Sequence, residues 1–242
     1  MALPWFFHDP VTADTAVTLD PLEARHATGS RRLRAGSPIV LCDGRGTTAT
    51  AELTAVERRN VTAWVQSVRH HQPPTPQIHV ASAVPKGDRA ATMLGFGTQL
   101  GLDRYTPLSC ERSVVEPSSA AASRWERVVR EASKQCQRPY FPELSTLSSI
   151  PDLLQATPTG HRLLLLDPDG SSAPVAEDPC DAYLLIVGPE GGFTIQEKQQ
   201  IIDAGASLQR LAPYILRTET AVAAAISVVS RQQRFETKGD LG

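Results

Sequence analysis

The sequence lacks the features of a membrane or a secreted protein. No run of apolar residues is long enough to span a bilayer. The opening stretch, MALPWFFHDP, has a short aromatic run followed by His8, Asp9 and Pro10, without the basic start and apolar core of a signal peptide. Cysteine is scarce: Cys42, Cys110, Cys136 and Cys180 lie far apart. None forms a C-x-x-C pair and no histidine cluster completes a zinc site, so no metal is expected. Reduced, mostly buried thiols in a cytoplasmic protein are the expectation. A strong charge of either sign is also missing. The formal net charge of -2 excludes a generally basic nucleic-acid coat and leaves room only for local basic patches. There is no internal repeat and no low-complexity segment.

What is present divides into two styles of sequence. A chain of 242 residues accommodates one large domain or two modest ones. The stretch QPPTPQ, residues 72–77, resists both helix and central strand, and the chain changes character across it. Before it, SPIVLCD, TTATAELTAV and NVTAWVQSVRH are rich in β-branched residues and partly alternate apolar with polar, with turns at DGRG and ERRN and one short helix around Leu22 to Thr28. Residues 1–72 are therefore expected to form a small β-rich domain, 73–77 a linker, and 78–242 a second domain. In that second part, apolar runs such as RLLLLD and AYLLIVG alternate with helical patterns such as SRWERVVREASKQC and IQEKQQIIDAG. Such alternation predicts an α/β domain with a parallel sheet covered on both faces. The glycines at 95 and 97 weaken an expected helix that Gly101 should stop.

The stretch LLIVGPEGGFT, residues 184–194, turns from an apolar strand into glycines. Thr194 and Glu197 form a capping-box pattern, so a helix should begin at Ile195 and the loop should sit at the carboxyl end of a strand. No lysine follows Gly192, which argues against a P-loop. The spacing is not that of a dinucleotide fingerprint, and Glu190 would repel a pyrophosphate. A ligand with a positive centre suits it better, and S-adenosylmethionine (SAM) fits that description; a tight turn with no ligand remains the alternative. Downstream, LAPYILRTETAVAAAISVV, residues 211–229, places Arg217 and Glu219 at the mouth of a helix that Thr218 or Thr220 could cap. That helix is apolar nearly all round, so it should be buried, plausibly against a second subunit. Arg217 and Glu219 either satisfy each other or address a ligand.

GPEGGFT followed by ILRTETA resembles the C-terminal signature of the RsmE-type 16S ribosomal RNA uracil-N3 methyltransferases, members of the knotted SPOUT superfamily. The likeness extends through PKGDR (85–89), CERSVV (110–115), RWERVVREASKQCQR (124–138) and RHATGSRRLRAGSPIVLCDGRG in the first domain. Trp5, Phe96 and Tyr214 stand where that family often carries basic residues. The resemblance implies a SAM-dependent enzyme with a trefoil knot, a PUA-like RNA-binding barrel before it, and a homodimer. It implies that SAM is held by three loops: Leu165, Leu166 and Asp167; Val187, Gly188, Pro189, Glu190, Gly191 and Gly192; and Leu211, Ile215, Leu216, Thr218, Thr220 and Ala221.

For the reaction, the N3 proton of uracil must leave and charge spreads to the ring oxygens. An arginine can stabilise that anion but cannot remove the proton. Arg217, or Arg138, is the candidate, with Glu219 orienting it. Of the aromatics, Phe193 and Tyr214 are the candidates for stacking on a base, with Phe193 favoured as a packing residue. RNA contacts are expected from Arg25, Arg31, Arg32 and Arg34, from Arg112, and from Arg127, Arg130 and Lys134, the last three sharing a helical face with Arg138. The partner would be 16S rRNA, within the small ribosomal subunit. A different RNA nucleotide as target, a dinucleotide oxidoreductase and a non-catalytic RNA-binding protein are the competing readings.

Overall fold

The structure is a computed structural model and describes residues 3–29, 31–57, 60–173, 175 and 180–234. The chain divides into two compact units, 1–73 with 133–141, and 74–132 with 142–242. The end of the basic helix and the nine residues from 133 to 141 thus belong with the first unit, which the linear reading did not foresee.

In the first unit the chain runs β1 (Trp5–Phe7), β2 (Ala16–Thr18), α1 (Pro21–Thr28), β3 (Pro38–Cys42), β4 (Thr47–Val56) and β5 (Val61–His70). The five strands form one mixed sheet in the order β1-β3-β4-β5-β2, parallel only between β1 and β3. The period-two pattern is visible in β4, where Ala49, Ala51 and Leu53 are buried while Thr50, Glu52 and Thr54 face water. The inward side chains meet Phe6, Ile39, Leu41, Val61 and Val65 in one core. Helix α1 starts where Asp20 accepts hydrogen bonds from the amides of Leu22 and Glu23, with Pro21 in the first turn.

The second unit contains β6 (Gln77–Ala83), α2 (Arg89–Leu100), β7 (Arg104–Ser109), α3 (Ser119–Cys136), β8 (Glu143–Leu144), β9 (Ser148–Ser149), α4 (Ile150–Ala156), β10 (His161–Ser171), β11 (Ala182–Val187), α5 (Ile195–Asp203), β12 (Ser207–Gln209) and α6 (Thr218–Ser230). Six strands lie in the order β12-β10-β11-β6-β7-β8, every pair parallel, and β9 pairs with β7 beside β8. The central strand β11 is buried at every residue, as a strand covered on both faces must be. Gly97 does not break α2. A methyl group there would stand 3.2 Å from Leu102 and 3.3 Å from Ile226 of α6, so the glycine permits a close α2–α6 approach. Gly101 ends the helix in the left-handed conformation, φ 110°.

The connection after β12 positions the site. Strand β12 lies at one edge of the sheet, beyond β10, yet α6 packs on β11 and β6 in its middle. Residues 210–217 therefore recross the carboxyl ends of β10 and β11. Helix α6 buries Val222, Ala225, Ile226 and Val229 but leaves Val228 41% exposed. It is covered on one side only within a single chain.

Candidate functional site

Three segments converge at the carboxyl ends of β6, β10 and β11, where open parallel sheets bind their ligands. The glycine loop leaves β11 as a tight turn in which the Gly192 amide donates to the Pro189 carbonyl at 2.8 Å. Gly192 has φ +70°, and a methyl group on it would meet nothing within 4 Å. Gly188 is close-packed instead: a methyl there would stand 3.0 Å from the Phe193 ring. Phe193 thus packs under the loop. The expected capping box is present. Thr194 Oγ1 accepts from the Glu197 amide at 3.3 Å, and Glu197 Oε2 accepts from the Thr194 amide at 2.8 Å. The other oxygen of Glu197 accepts from the Glu111 amide at 2.7 Å, fastening the loop to the CERSVV segment. Arg112 Nη1 donates to the Gly191 carbonyl at 2.8 Å. Arg112, expected to contact RNA, braces the glycine loop.

The recrossing segment is tied to this loop. Neither Thr218 nor Thr220 caps α6; Arg217 is the N-cap residue and makes no side-chain cap. Thr218 is the first helical residue, and its hydroxyl donates to the Gly188 carbonyl at 3.2 Å. Glu219 is not paired with Arg217. Its nearest cation is Arg89, at the start of α2, whose Nη1 lies 3.7 Å from Glu219 and whose Nη2 lies 3.3 Å from Glu190. In the sequence Arg89 stands out only as the last residue of PKGDR, with nothing nearby to mark it as a site residue. Glu219 Oε2 is buried and accepts no hydrogen bond from the described residues. Arg217 itself is exposed, with no side-chain hydrogen bond or ion pair to the described residues. The first expected loop, Leu165 to Asp167, lies within β10 instead; Asp167 pairs with Lys198 at 2.8 Å and accepts from the Asp169 amide at 2.9 Å. Leu165 is buried within the sheet, while Tyr214 and Ile215 are 83% and 86% exposed.

One further expectation changes. Lys134 does not face water with Arg127 and Arg130. It is buried in the first unit, with Nζ 2.5 Å from Glu23 Oε1 of α1. Helical spacing places it on the basic face, but that face is covered at this end of α3. Arg138, the alternative stabilising arginine, also belongs to the first unit, where its amide donates to the Ser133 carbonyl. By contrast Arg25, Arg31, Arg32, Arg34 and Arg127 are exposed, and Arg130 is half-buried. Burial pushes the Cys110 thiol, in the CERSVV segment, up to about 11, which disfavours the thiolate. No group of three or more metal-ligating side chains occurs among the described residues.

An exposed glycine turn with open space over it, two carboxylates and one orphaned carboxylate oxygen fit a ligand that carries positive charge. A β-rich PUA-like unit followed by an all-parallel sheet with such a loop at its carboxyl end is the architecture of a SPOUT-type RNA methyltransferase. Comparison with known proteins agrees. The RNA methyltransferase domain family matches residues 71–230, and the RNA methyltransferase PUA domain family matches residues 19–63. Ribosomal RNA small subunit methyltransferase E of Mycobacterium tuberculosis is 32% identical, covering 91% of this chain and 87% of that one. The Bacillus subtilis protein of the same name is 31% identical over 90% of both. The Neisseria gonorrhoeae enzyme bound to S-adenosyl methionine superposes with a TM-score of 0.88 at 28% identity, over 95% of this chain and 98% of that one. The chain belongs to the RNA methyltransferase family, among the RsmE-type members.

Proposed function

We propose that this protein transfers a methyl group from SAM to N3 of a uridine in the 16S rRNA of the small ribosomal subunit. The observation that carries the reading is the Glu190–Arg89–Glu219 cluster beside the open Gly192 turn. It combines net negative charge with accessible backbone at the carboxyl end of a parallel sheet. Among the family's expected donor-binding positions, Gly188 to Gly192 and Leu216 to Ala221 border this cluster, and Leu166 and Asp167 lie within the neighbouring strand β10, where its pairing with β11 stops.

SAM supplies an activated methyl group on a cationic sulfur with a good leaving group. The protein's share is alignment, charge complementarity and exclusion of water. Glu190 and Glu219 hold a negative field at the cleft, moderated by Arg89. The Gly192 turn lets backbone groups approach without a side chain between. Arg217 is free to swing over an incoming base and to stabilise the charge that reaches the ring oxygens as N3 loses its proton. The exposed arginines of the first unit, Arg25, Arg31, Arg32 and Arg34, and Arg127 on α3, supply phosphate contacts.

A homodimer completes the reading. Phe96 on α2 and Val228 on α6 are 54% and 41% exposed on two helices that pack together. Tyr214 and Ile215 add exposed apolar surface beside the site. A second copy laid on this face would bury the open side of α6. Sedimentation at micromolar concentration should give twice the chain mass of 26.1 kDa.

The deciding experiment uses labelled SAM with small subunits, and with naked RNA, from a strain lacking the gene. One methylated uridine, blocked at N3, is expected. Label at carbon, ribose or another base would overturn the uridine-N3 assignment, and absence of label would overturn the activity.

A further inference from the structure

Beside the Glu190–Arg89–Glu219 cluster lies a cavity of about 340 Å³ between the β6–α2 turn and the start of α3. We propose that it receives the target base, turned out of a single-stranded stretch of RNA; this rests on the reading of the chain as an RNA methyltransferase. Its position follows from the sheet. β6 and β11 are parallel neighbours with Ser82 opposite Val187, so the turn leaving β6 and the glycine loop leaving β11 emerge side by side. Gly87 and Ala90 line the cavity, and Arg89 between them reaches both Glu190 and Glu219. The cavity and the cluster thus both border the turn that leaves β6. A base in the cavity would approach the donor from across that turn.

The lining suits a flat heterocycle. Val84, Ala91, Val115 and Trp125 form apolar walls, and a base has two apolar faces to bury against them. Trp125 is held edge-on against Tyr105, with ring centroids 5.8 Å apart, so this wall is rigid. It is the one tryptophan of the second unit. Glu116, Ser118 and Arg124 are the polar groups at the rim, placed for the edges of a base or its sugar and phosphate. The volume is at the small end of the roughly 300–1,000 Å³ typical of ligand sites, so it takes one nucleoside rather than a dinucleotide. Among the described residues Arg124 pairs with Asp88 alone, and both are exposed, at 47% and 77% of their side chains. An exposed pair of this kind is weak, so the guanidinium can exchange Asp88 for a phosphate. Arg127, exposed and almost one turn further along α3, extends the same track. Enzymes that modify a base take it out of the stack, and an apolar pocket offsets the few kcal/mol that this costs.

The test blocks the mouth without disturbing the core. Ala120 is exposed at the rim, so Ala120→Trp fills the entrance; Ala121→Leu is a milder second variant. Three quantities are read on the full chain: SAM affinity by calorimetry, methyl transfer to small-subunit RNA, and the ¹⁹F signal of a single-stranded hexaribonucleotide carrying one 5-fluorouridine. Wild type should shift or broaden the fluorine signal. Ala120→Trp should abolish that change and lower kcat/KM by about a hundredfold, with SAM affinity and thermal midpoint unchanged. Ala121→Leu should give a smaller loss in the same direction. Variants that retain both the fluorine change and turnover within about threefold overturn the pocket. A wild-type chain that binds SAM but methylates no small-subunit RNA refutes the reading beneath, while the fluorine measurement still decides whether the cavity takes a base.

Discussion

Arg89 stands between Glu190 and Glu219, 3.3 Å from the first carboxylate and 3.7 Å from the second. One cation thereby holds together the glycine loop and the recrossing segment, which leave different strands. Arg89→Met should let the two carboxylates repel and the loop drift. SAM affinity is expected to fall about tenfold, measured calorimetrically, while folding stability changes by less than about 1 kcal/mol because the pairs are partly exposed. Arg89→Lys should recover part of the loss. Unchanged affinity in Arg89→Met would remove Arg89 from the organisation of the site.

Gly192→Ala tests the open turn. A side chain at φ +70° costs about 1–2 kcal/mol, and its methyl group would project into the space assigned to the donor. SAM affinity should drop at least tenfold. Gly205, at φ +94° and also with nothing within 4 Å, is the control. Gly205→Ala should lower the thermal midpoint similarly and leave SAM affinity alone.

Arg217→Ala separates binding from turnover. Its exposed guanidinium makes no hydrogen bond or ion pair with the described residues, so its loss should spare folding. Turnover is expected to fall by about two to three orders of magnitude with SAM affinity within about threefold. Equal losses in the two would make Arg217 a donor-binding residue.

Lys134 and Glu23 make a pair with both side chains only 5% exposed. Lys134→Met removes the cation from a buried carboxylate and should destabilise the protein by about 3–5 kcal/mol. Adding Glu23→Leu should recover most of that loss, read by denaturant unfolding. A purely additive double variant would show that the two residues are not coupled.

Protonation of the sheet's amino end gives a pH dependence. Burial, then the charges of Arg104 and His161, push His79 down to about 4. His161, with Nε2 3.3 Å from His79 Nδ1, is also lowered by burial, partly opposed by Asp181. Gln77 is the uncharged neighbour, 3.3 Å from His79 Nε2. An unfolded histidine protonates near 6.5, so between that pH and about 4 the unfolded chain binds protons that the folded chain refuses. Stability is full above pH 6.5 and declines as the pH falls through this window. His79→Gln should flatten the decline in thermal midpoint between pH 7 and 5.

Much of this was legible in the sequence because it depends on local order. The apolar runs of β10 and β11, the Thr194–Glu197 box and the stop at Gly101 are each written within a few residues. Short elements carried too little pattern: α4 and the two-residue strands β8 and β9 were not anticipated. Partners distant in the chain were also hidden. Lys134 sits in a helical charge pattern that points to water, but Glu23, 111 residues earlier, takes it out of water. Glu219 has a nearer cation in sequence, Arg217, yet its partner is Arg89. The cap of α6 failed for a similar reason, since the Thr218 hydroxyl is used by Gly188.

The recrossing after β12 bears on how the enzyme comes into being. The turn after β6 is synthesised first, the glycine loop follows, and the strap holding Arg217, Thr218 and Glu219 comes last of the three. Nascent chains that stop short of it lack the residues that close the cleft, so truncated products are inert bystanders. Assembly of the catalyst waits until translation has passed α6.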